Sequence, residues 1–327
     1  MKTAVVILNW NGIELLKKFL PSVTENSPQA DIYIVDNAST DDSVIFVKSN
    51  FPEVKIIQNS ENLGYAGGYN EGLKSIDADI YCLLNSDVEV TKNWLSAFEN
   101  IFKNPEIAAA QPKILDFNHK NKFEYAGAAG GFLDNFGYPY CRGRVFWTLE
   151  EDQGQYDDEI EIFWASGACL FIRSKDFWEM QGFENAFFAH MEEIDLCWRL
   201  RNKGKKVYYS SKSTVYHLGG ATLHNSPQKT YLNFRNSLWM LLRNLPAYKL
   251  FPVIFTRLVL DGITAIVFWR YHGFGHLVAI FNSHMSFYSR ARHFFNQRNG
   301  TTKDFWKHRF VPWQYFILGR KKIDELK

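Results

Sequence analysis

Along the first 110 residues, short apolar, β-branched runs alternate with segments whose apolar positions recur every three or four residues. TAVVILNW has the pattern of a buried strand and IELLKKFLPSV that of an amphipathic helix. ADIYIVDNA repeats the strand pattern, DDSVIFVKSN reads as a helix, and VKIIQNS as a third strand. The glycine-rich NLGYAGGYN reads as a loop leading to a helix near NEGLKSI, followed by a fourth strand, DIYCLLNSD. Strands alternating with helices at this spacing predict βαβ units on a parallel sheet.

Beyond this the pattern weakens. Residues 111–163 are rich in Gly and aromatics and show no period. WASGACLFIRS, a helix from about Glu192 to Lys203 and the strand VYYSSKSTVYHL restore order, and from about Tyr231 the chain reads as helical, basic and aromatic. A chain of 327 residues accommodates a catalytic domain at 1–244 and a helical extension at 245–327. With 46% hydrophobic and 22% charged residues, disordered and fibrous classes are excluded.

Charge changes the picture more than composition does. The net +2 conceals fourteen Lys+Arg against four Asp+Glu from Arg243 onward, which leaves the preceding residues acidic. A basic tail on an acidic body points to an anionic partner. No nucleic-acid motif accompanies the charge, so nucleic acid is not expected. The longest apolar stretch of the tail, LVLDGITAIVFW, is interrupted by Asp261 and falls below the ~20 residues of a membrane span, so no transmembrane helix is expected. A cytoplasmic protein with its tail docked on the anionic inner face of the membrane is the expectation instead. Cys82, Cys141, Cys169 and Cys197 are widely spaced and form no metal pattern, so they read as reduced thiols.

In parallel sheets, ligands bind beyond the carboxyl ends of the strands. Asn9 and Asn11, Asp36 and Asn37, and Asn85 and Asp87 all stand at such ends. A strand-end carboxylate such as Asp87 suits a hard cation shared with a diphosphate, although Asn-Ser-Asp alone is equally a turn. Standing at a strand end, Asp87 is also expected to be replaceable without loss of the fold. Glu192, Glu193 and Asp195 crowd the first turn of a helix near Phe187, Phe188 and Trp198. Acids there complement the helix dipole, but aromatic surroundings also raise a carboxyl pKa and suit a general base. His217 ends a strand just before Gly219 and Gly220, and becomes a ligand only if it converges with Asp87 on one ion.

Taken in order, AVVILNWNG, VDNASTD, NLGYAGGYN, LLNSDVEV, SGACLFIRS, GFENAFFAHMEEIDLCWRLRNKG and VYHLGG resemble glycosyltransferase family 2, and within it the bacterial rhamnosyltransferase-like branch. The resemblance covers residues 1 to about 245. It implies a GT-A fold: a mostly parallel, Rossmann-like nucleotide-binding sheet flanked by helices. It also implies inverting transfer from a nucleotide-diphosphate sugar to a hydroxyl of a glycan or lipid-linked acceptor in cell-surface polysaccharide synthesis. Rhamnose from dTDP-rhamnose is the favoured donor sugar, ahead of a hexose from a UDP-sugar. By position, the resemblance sets Asp36, with Asn9 and Asn11, beside the nucleoside, and Gly64 and the loop to Asn70 around its pocket. Asn85 to Asp87 takes the place of the family's DxD motif, so Asp87 with His217 would hold Mg²⁺ or Mn²⁺. Asn85 departs from the motif and leaves one strong carboxylate. Glu193, preceded by Glu192, takes the place of the catalytic base, a position where the family usually has Asp. Two other classes compete. A nucleotidyltransferase is disfavoured by the loop NWNGIE, which has one glycine and no basic residue. A nucleotide-sugar-binding module without turnover draws only on the Glu193 departure.

Overall fold

The structure is a computed structural model that describes residues 1–219, 226–302 and 304–327; Gly220 of VYHLGG lies outside the described residues. The N-terminal half runs β1 (Thr3–Asn9), α1 (Ile13–Asn26), β2 (Asp31–Asp36), α2 (Ser43–Asn50), β3 (Lys55–Gln58), α3 (Gly64–Leu73), β4 (Ile80–Asn85), β5 (Val88–Val90), α4 (Ser96–Ile101) and β6 (Ile107–Asp116). Short strands β7 (Gly131–Leu133), β8 (Pro139–Cys141), β9 (Arg144–Val145) and β10 (Thr148–Leu149) follow. Then come β11 (Glu159–Ile162), β12 (Cys169–Arg173), α5 (Ser174–Glu179), α6 (Glu192–Asn202) and β13 (Lys206–His217). The chain ends in α7 (Pro227–Asn244), α8 (Ala247–His272), α9 (Phe274–Asn296) and α10 (Val311–Phe316).

A nine-stranded sheet in the order β11-β13-β6-β12-β4-β1-β2-β3, with β5 on β13, forms the centre. Pairing directions set β1 to β4, β6 and β13 one way and β5, β11 and β12 against them, so the sheet is mostly parallel, as the alternation predicts. Its central strands are apolar throughout because both faces are covered. This layering brings the carboxyl ends of β1, β2, β4 and β13 to one edge.

Three readings of the sequence differ from the structure. GYAGGYN is the body of α3, not a loop. Its glycines are needed for close packing: a Cβ at Gly72 would stand 2.5 Å from Val35, and one at Gly68 2.8 Å from Leu8. The patternless stretch 111–163 supplies the end of β6 and all of β11 to the central sheet and builds a second, four-stranded sheet, β10-β9-β8-β7. Strands of two or three residues are too short to show a period. Finally, α8 is a continuous helix of 26 residues, long and apolar enough by length and composition to cross a membrane. Asp261 does not interrupt its outward apolar face, because the side chain turns inward, 3.7 Å from Arg257 one turn earlier. The four cysteines are buried and unpaired. The C-terminal helices join the same core, with Trp239 stacked on Phe294 and Trp198 on Phe305.

Candidate active site

Polar groups at the ends of β1 and β2 interlock. Asn9 Nδ2 donates to Asp36 Oδ1 (3.1 Å) and to Ser39 Oγ, while Asp36 Oδ2 accepts from the Ser39 backbone. Asn11, at φ 50°, accepts from the Thr40 backbone at 2.7 Å. Asn9 Oδ1 is buried without a partner. Trp10, between these two asparagines in the chain, is exposed. Asn70 lies apart from this group: its amide is engaged with Phe183 and Asn185, tying α3 to the 183–185 loop.

The end of β4 meets the end of β13. His217 Nε2 lies 3.1 Å from Asp87 Oδ1 and 3.4 Å from Asn85 Nδ2, and its Nδ1 faces Glu124 Oε2 at 3.2 Å. The three charged residues are buried. Burial opposes the charge on His217, but Glu124 and Asp87 outweigh it and hold the imidazolium well above its ordinary range. Burial likewise opposes ionisation of Asp87, and His217 overcomes it, lowering the carboxyl pKa. Glu124 is itself fixed by the Ala126 N–H at 2.6 Å.

Asp87 and His217 therefore converge, which their separation along the chain could not show. The 3.1 Å between them is that of a direct ion pair. Mg²⁺ or Mn²⁺ would take the place of the Nε2 proton, since ligands about 2.1 Å from an octahedral ion sit roughly 3.0 Å apart and histidine ligates only when that nitrogen is bare. Glu124 on the far nitrogen is the carboxylate that metal-binding histidines commonly have behind them. Among the described residues no group of three or more His, Cys, Asp or Glu is gathered for a metal, so two protein ligands are the most this arrangement supplies.

The glutamate pair joins the same edge. Asn85 N donates to Ala168 O, and a Cβ on neighbouring Gly167 would lie 3.9 Å from that of Glu193. Tyr65 donates to Gly167 O at 2.7 Å and fixes this turn. Glu192 Oε2 and Glu193 Oε2 are both buried without a hydrogen-bond partner. Burial, then repulsion from Glu193, drives the Glu192 carboxyl far up, while burial raises Glu193 to about 7. Both carboxyls are thus raised, Glu192 further than Glu193, and the two titrate as a pair.

The backbone that presents this pair is strained. Phe188, His190 and Met191 all have positive φ (65°, 71° and 73°), and such conformations persist only when the surroundings enforce them. Here the enforcing groups come from α7. Asn236 Nδ2 donates to the carbonyls of Phe187, Ala189 and His190 at 2.8–3.0 Å, and Arg235 to those of Ala186 and Phe187. Gly64, at φ 70°, gives the loop room, since a Cβ there would meet Phe188 at 2.5 Å.

Residues 4–180 match the sequence profile of glycosyl transferase family 2, more than half of the chain. The chain belongs to that family. It is 24% identical over 270 residues, covering 72% of itself and 85% of the relative, to an N-acetylglucosaminyl-diphospho-decaprenol L-rhamnosyltransferase of Mycobacterium tuberculosis. It is 21% identical over 220 residues to the rhamnosyltransferase WbbL of Escherichia coli, covering 63% of itself and 79% of WbbL. Its fold matches GalNAc-T7, solved with UDP, GalNAc and Mn²⁺, at a TM-score of 0.59 and 18% identity. That match covers 76% of this chain and about half (49%) of GalNAc-T7. The protein is thus a glycosyltransferase of an inverting family with the GT-A fold.

Glu124, Tyr65 and Asn236 escaped the sequence reading of this glycosyltransferase. Glu124 lies in the patternless stretch, and Asn236 looks like any polar residue of a helix. Replacing Asn236 with Ala is expected to let the 186–191 loop relax and shift the glutamates. A misplacement of about 1 Å can cost roughly 10²-fold in rate, so kcat should fall by about that factor while donor affinity holds. Steady-state kinetics beside donor binding on the same folded variant measures both, and an unchanged kcat would release Asn236 from this role.

Proposed function

We propose that the protein transfers a sugar, with inversion, from a nucleotide-diphosphate donor to a hydroxyl of a glycan or lipid-linked acceptor on the cytoplasmic side of the membrane. The buried glutamate pair, which the Gly167–Ala168 turn links to the strand end carrying Asn85 and Asp87, supports this reading together with the Asp87–His217 contact. Rhamnose from dTDP-rhamnose is the favoured donor sugar because named relatives are rhamnosyltransferases, and a hexose from a UDP-sugar is the runner-up.

Asn9, Asn11 and Asp36, with Trp10, form the nucleoside side, and Gly64 and Asn70 shape its border through the loop they hold. Asn85, Asp87 and His217 face the diphosphate. Asp87 and His217 would hold Mg²⁺ or Mn²⁺, which when bound supplies Lewis-acid stabilisation of charge on the departing diphosphate. Glu193 accepts the proton of the acceptor hydroxyl as its oxygen bonds to the anomeric carbon. The carbon–oxygen bond to the diphosphate breaks on the opposite face, which inverts the centre. Glu192, whose carboxyl burial and Glu193 raise the further of the two, makes Glu193 the more readily ionised carboxylate of the pair.

Thermal stabilisation by dTDP, UDP and GDP, each with Mg²⁺ or Mn²⁺, tests the donor assignment. The matching nucleotide is expected to add about 2.7 kcal/mol at 100 times its Kd. A protein that no nucleoside diphosphate stabilises is not this transferase.

A further inference from the structure

Helix α8 carries its polarity inside out. The inward stripe of α8 is Val253, Arg257, Asp261 and Ala265, with Arg257 and Asp261 almost fully buried at 3% and 1% exposure. Arg257 donates to Ser237 Oγ and Phe136 O, and Asp261 faces His284 of α9 at 3.4 Å. The outward stripe, spaced at three and four residues, is Tyr248, Phe251, Phe255, Val259, Ile263 and Ile266, with Phe251 78% exposed. Across Gly273, α9 continues it with Phe274, Val278, Phe281, Met285 and Tyr288. A helix on a water-facing surface shows the reverse, with polar residues outward. An apolar exposed area built by two adjacent helices marks a contact surface.

Charge selects the occupant. From Ala247 to Asn296 the one acidic residue is Asp261, which is buried, while Arg270, Arg290 and Arg292 are exposed. A second copy of this face would offer those arginines no acid, whereas an anionic leaflet offers many. Exposed Trp269 and Tyr271, at the end of α8 beside Arg270, are side chains that favour the headgroup zone. Between Leu242 of α7 and Leu250, Ile254 and Leu258 of α8 a groove of roughly 260 Å³, walled by Phe251 and Phe255, is lined wholly by apolar side chains and suits part of an acyl chain.

We propose that the α8–α9 hairpin seats the protein on an anionic membrane, its outward apolar face lying in the headgroup–acyl boundary. The inward stripe keeps α8 packed on the body, so the helix lies along the surface rather than through it. This deepens the lipid-linked-acceptor reading above, but partitioning is measured without donor or acceptor, so the two fail separately. If no nucleotide stabilises a chain that still floats, the transfer reading falls and the seating stands.

Flotation with phosphatidylglycerol–phosphatidylcholine vesicles, against phosphatidylcholine alone, tests it. The full chain is expected to float with the anionic vesicles and to keep part of that binding at high salt, since screening weakens charge but not apolar burial. The double substitution Phe251→Asp/Phe255→Asp is expected to lower partitioning by about a hundredfold or more, with an unchanged far-ultraviolet circular dichroism spectrum and cooperative melting as proof of an intact fold. A wild-type chain that ignores anionic vesicles at low salt overturns the proposal, as does a double variant that floats like the parent. A parent that is dimeric by light scattering and ignores vesicles, with a monomeric double variant, assigns the face to chain pairing instead.

Discussion

Glu193→Gln is expected to bind donor as the parent does and to lose about 10²–10⁴-fold of the transfer rate, the usual worth of a positioned general base. Glutamine keeps the shape and cannot take a proton. Glu192→Gln should be milder, because burial and Glu193 raise the Glu192 carboxyl above that of Glu193 and so make it the weaker candidate base. Transfer kinetics with donor binding on both variants settles the order, and a reversed order moves the base to Glu192. With Glu193 at about 7, the parent's kcat/KM should rise with pH through neutrality as the base form appears. Stability runs the other way. The folded state holds a proton that the unfolded chain, at an ordinary glutamate pKa near 4.5, has released. Stability is therefore lost as pH rises from about 4.5 to 7 and does not return above it. Glu193→Gln should accordingly melt higher than the parent at alkaline pH and alike in acid, a comparison open to calorimetry.

How far the sequence speaks depends on the range of the interaction. β1, β2 and β4 were legible because strands covered on both faces are nearly continuous apolar runs, and polar residues at their ends then mark the ligand edge. The raised carboxyls of Glu192 and Glu193 were not legible in degree, since they come from burial and from repulsion within the pair in the folded state. The convergence of Asp87 and His217 needs β13 to return beside β5, across 130 residues of chain. Local propensity misled in two places, both times because packing overrode it. Glycines argued for a loop where α3 needs close approach to Val35 and Leu8, and Asp261 argued for too short an apolar stretch where Arg257 takes its charge inward. Glu124 and Asn236 carry no local signal at all, as each acts on a partner far along the chain.

Chelation and Asp87→Asn are expected to depress transfer alike, by about 10³-fold or more, the rate equivalent of several kcal/mol of Lewis-acid stabilisation. Asparagine is the informative substitution. Asp87 is buried against His217 rather than free at a strand end, as the sequence had suggested, so alanine would also break a buried charge pair and cost stability of its own. Glu124→Gln separates ligand from support. It leaves Asp87 and His217 in place but removes the charge behind His217 Nδ1, and losses of such partners typically weaken metal binding about 10–100-fold. Its transfer should therefore recover at high Mn²⁺, whereas that of Asp87→Asn should not, and Mn²⁺ titrations of activity and of nucleotide-dependent melting measure both. Parental turnover in chelator would sink the metal assignment. An unaltered Mn²⁺ requirement in Glu124→Gln would leave His217 oriented by Asp87 and Asn85 alone, with Glu124 reduced to a charge neutralising a buried imidazolium.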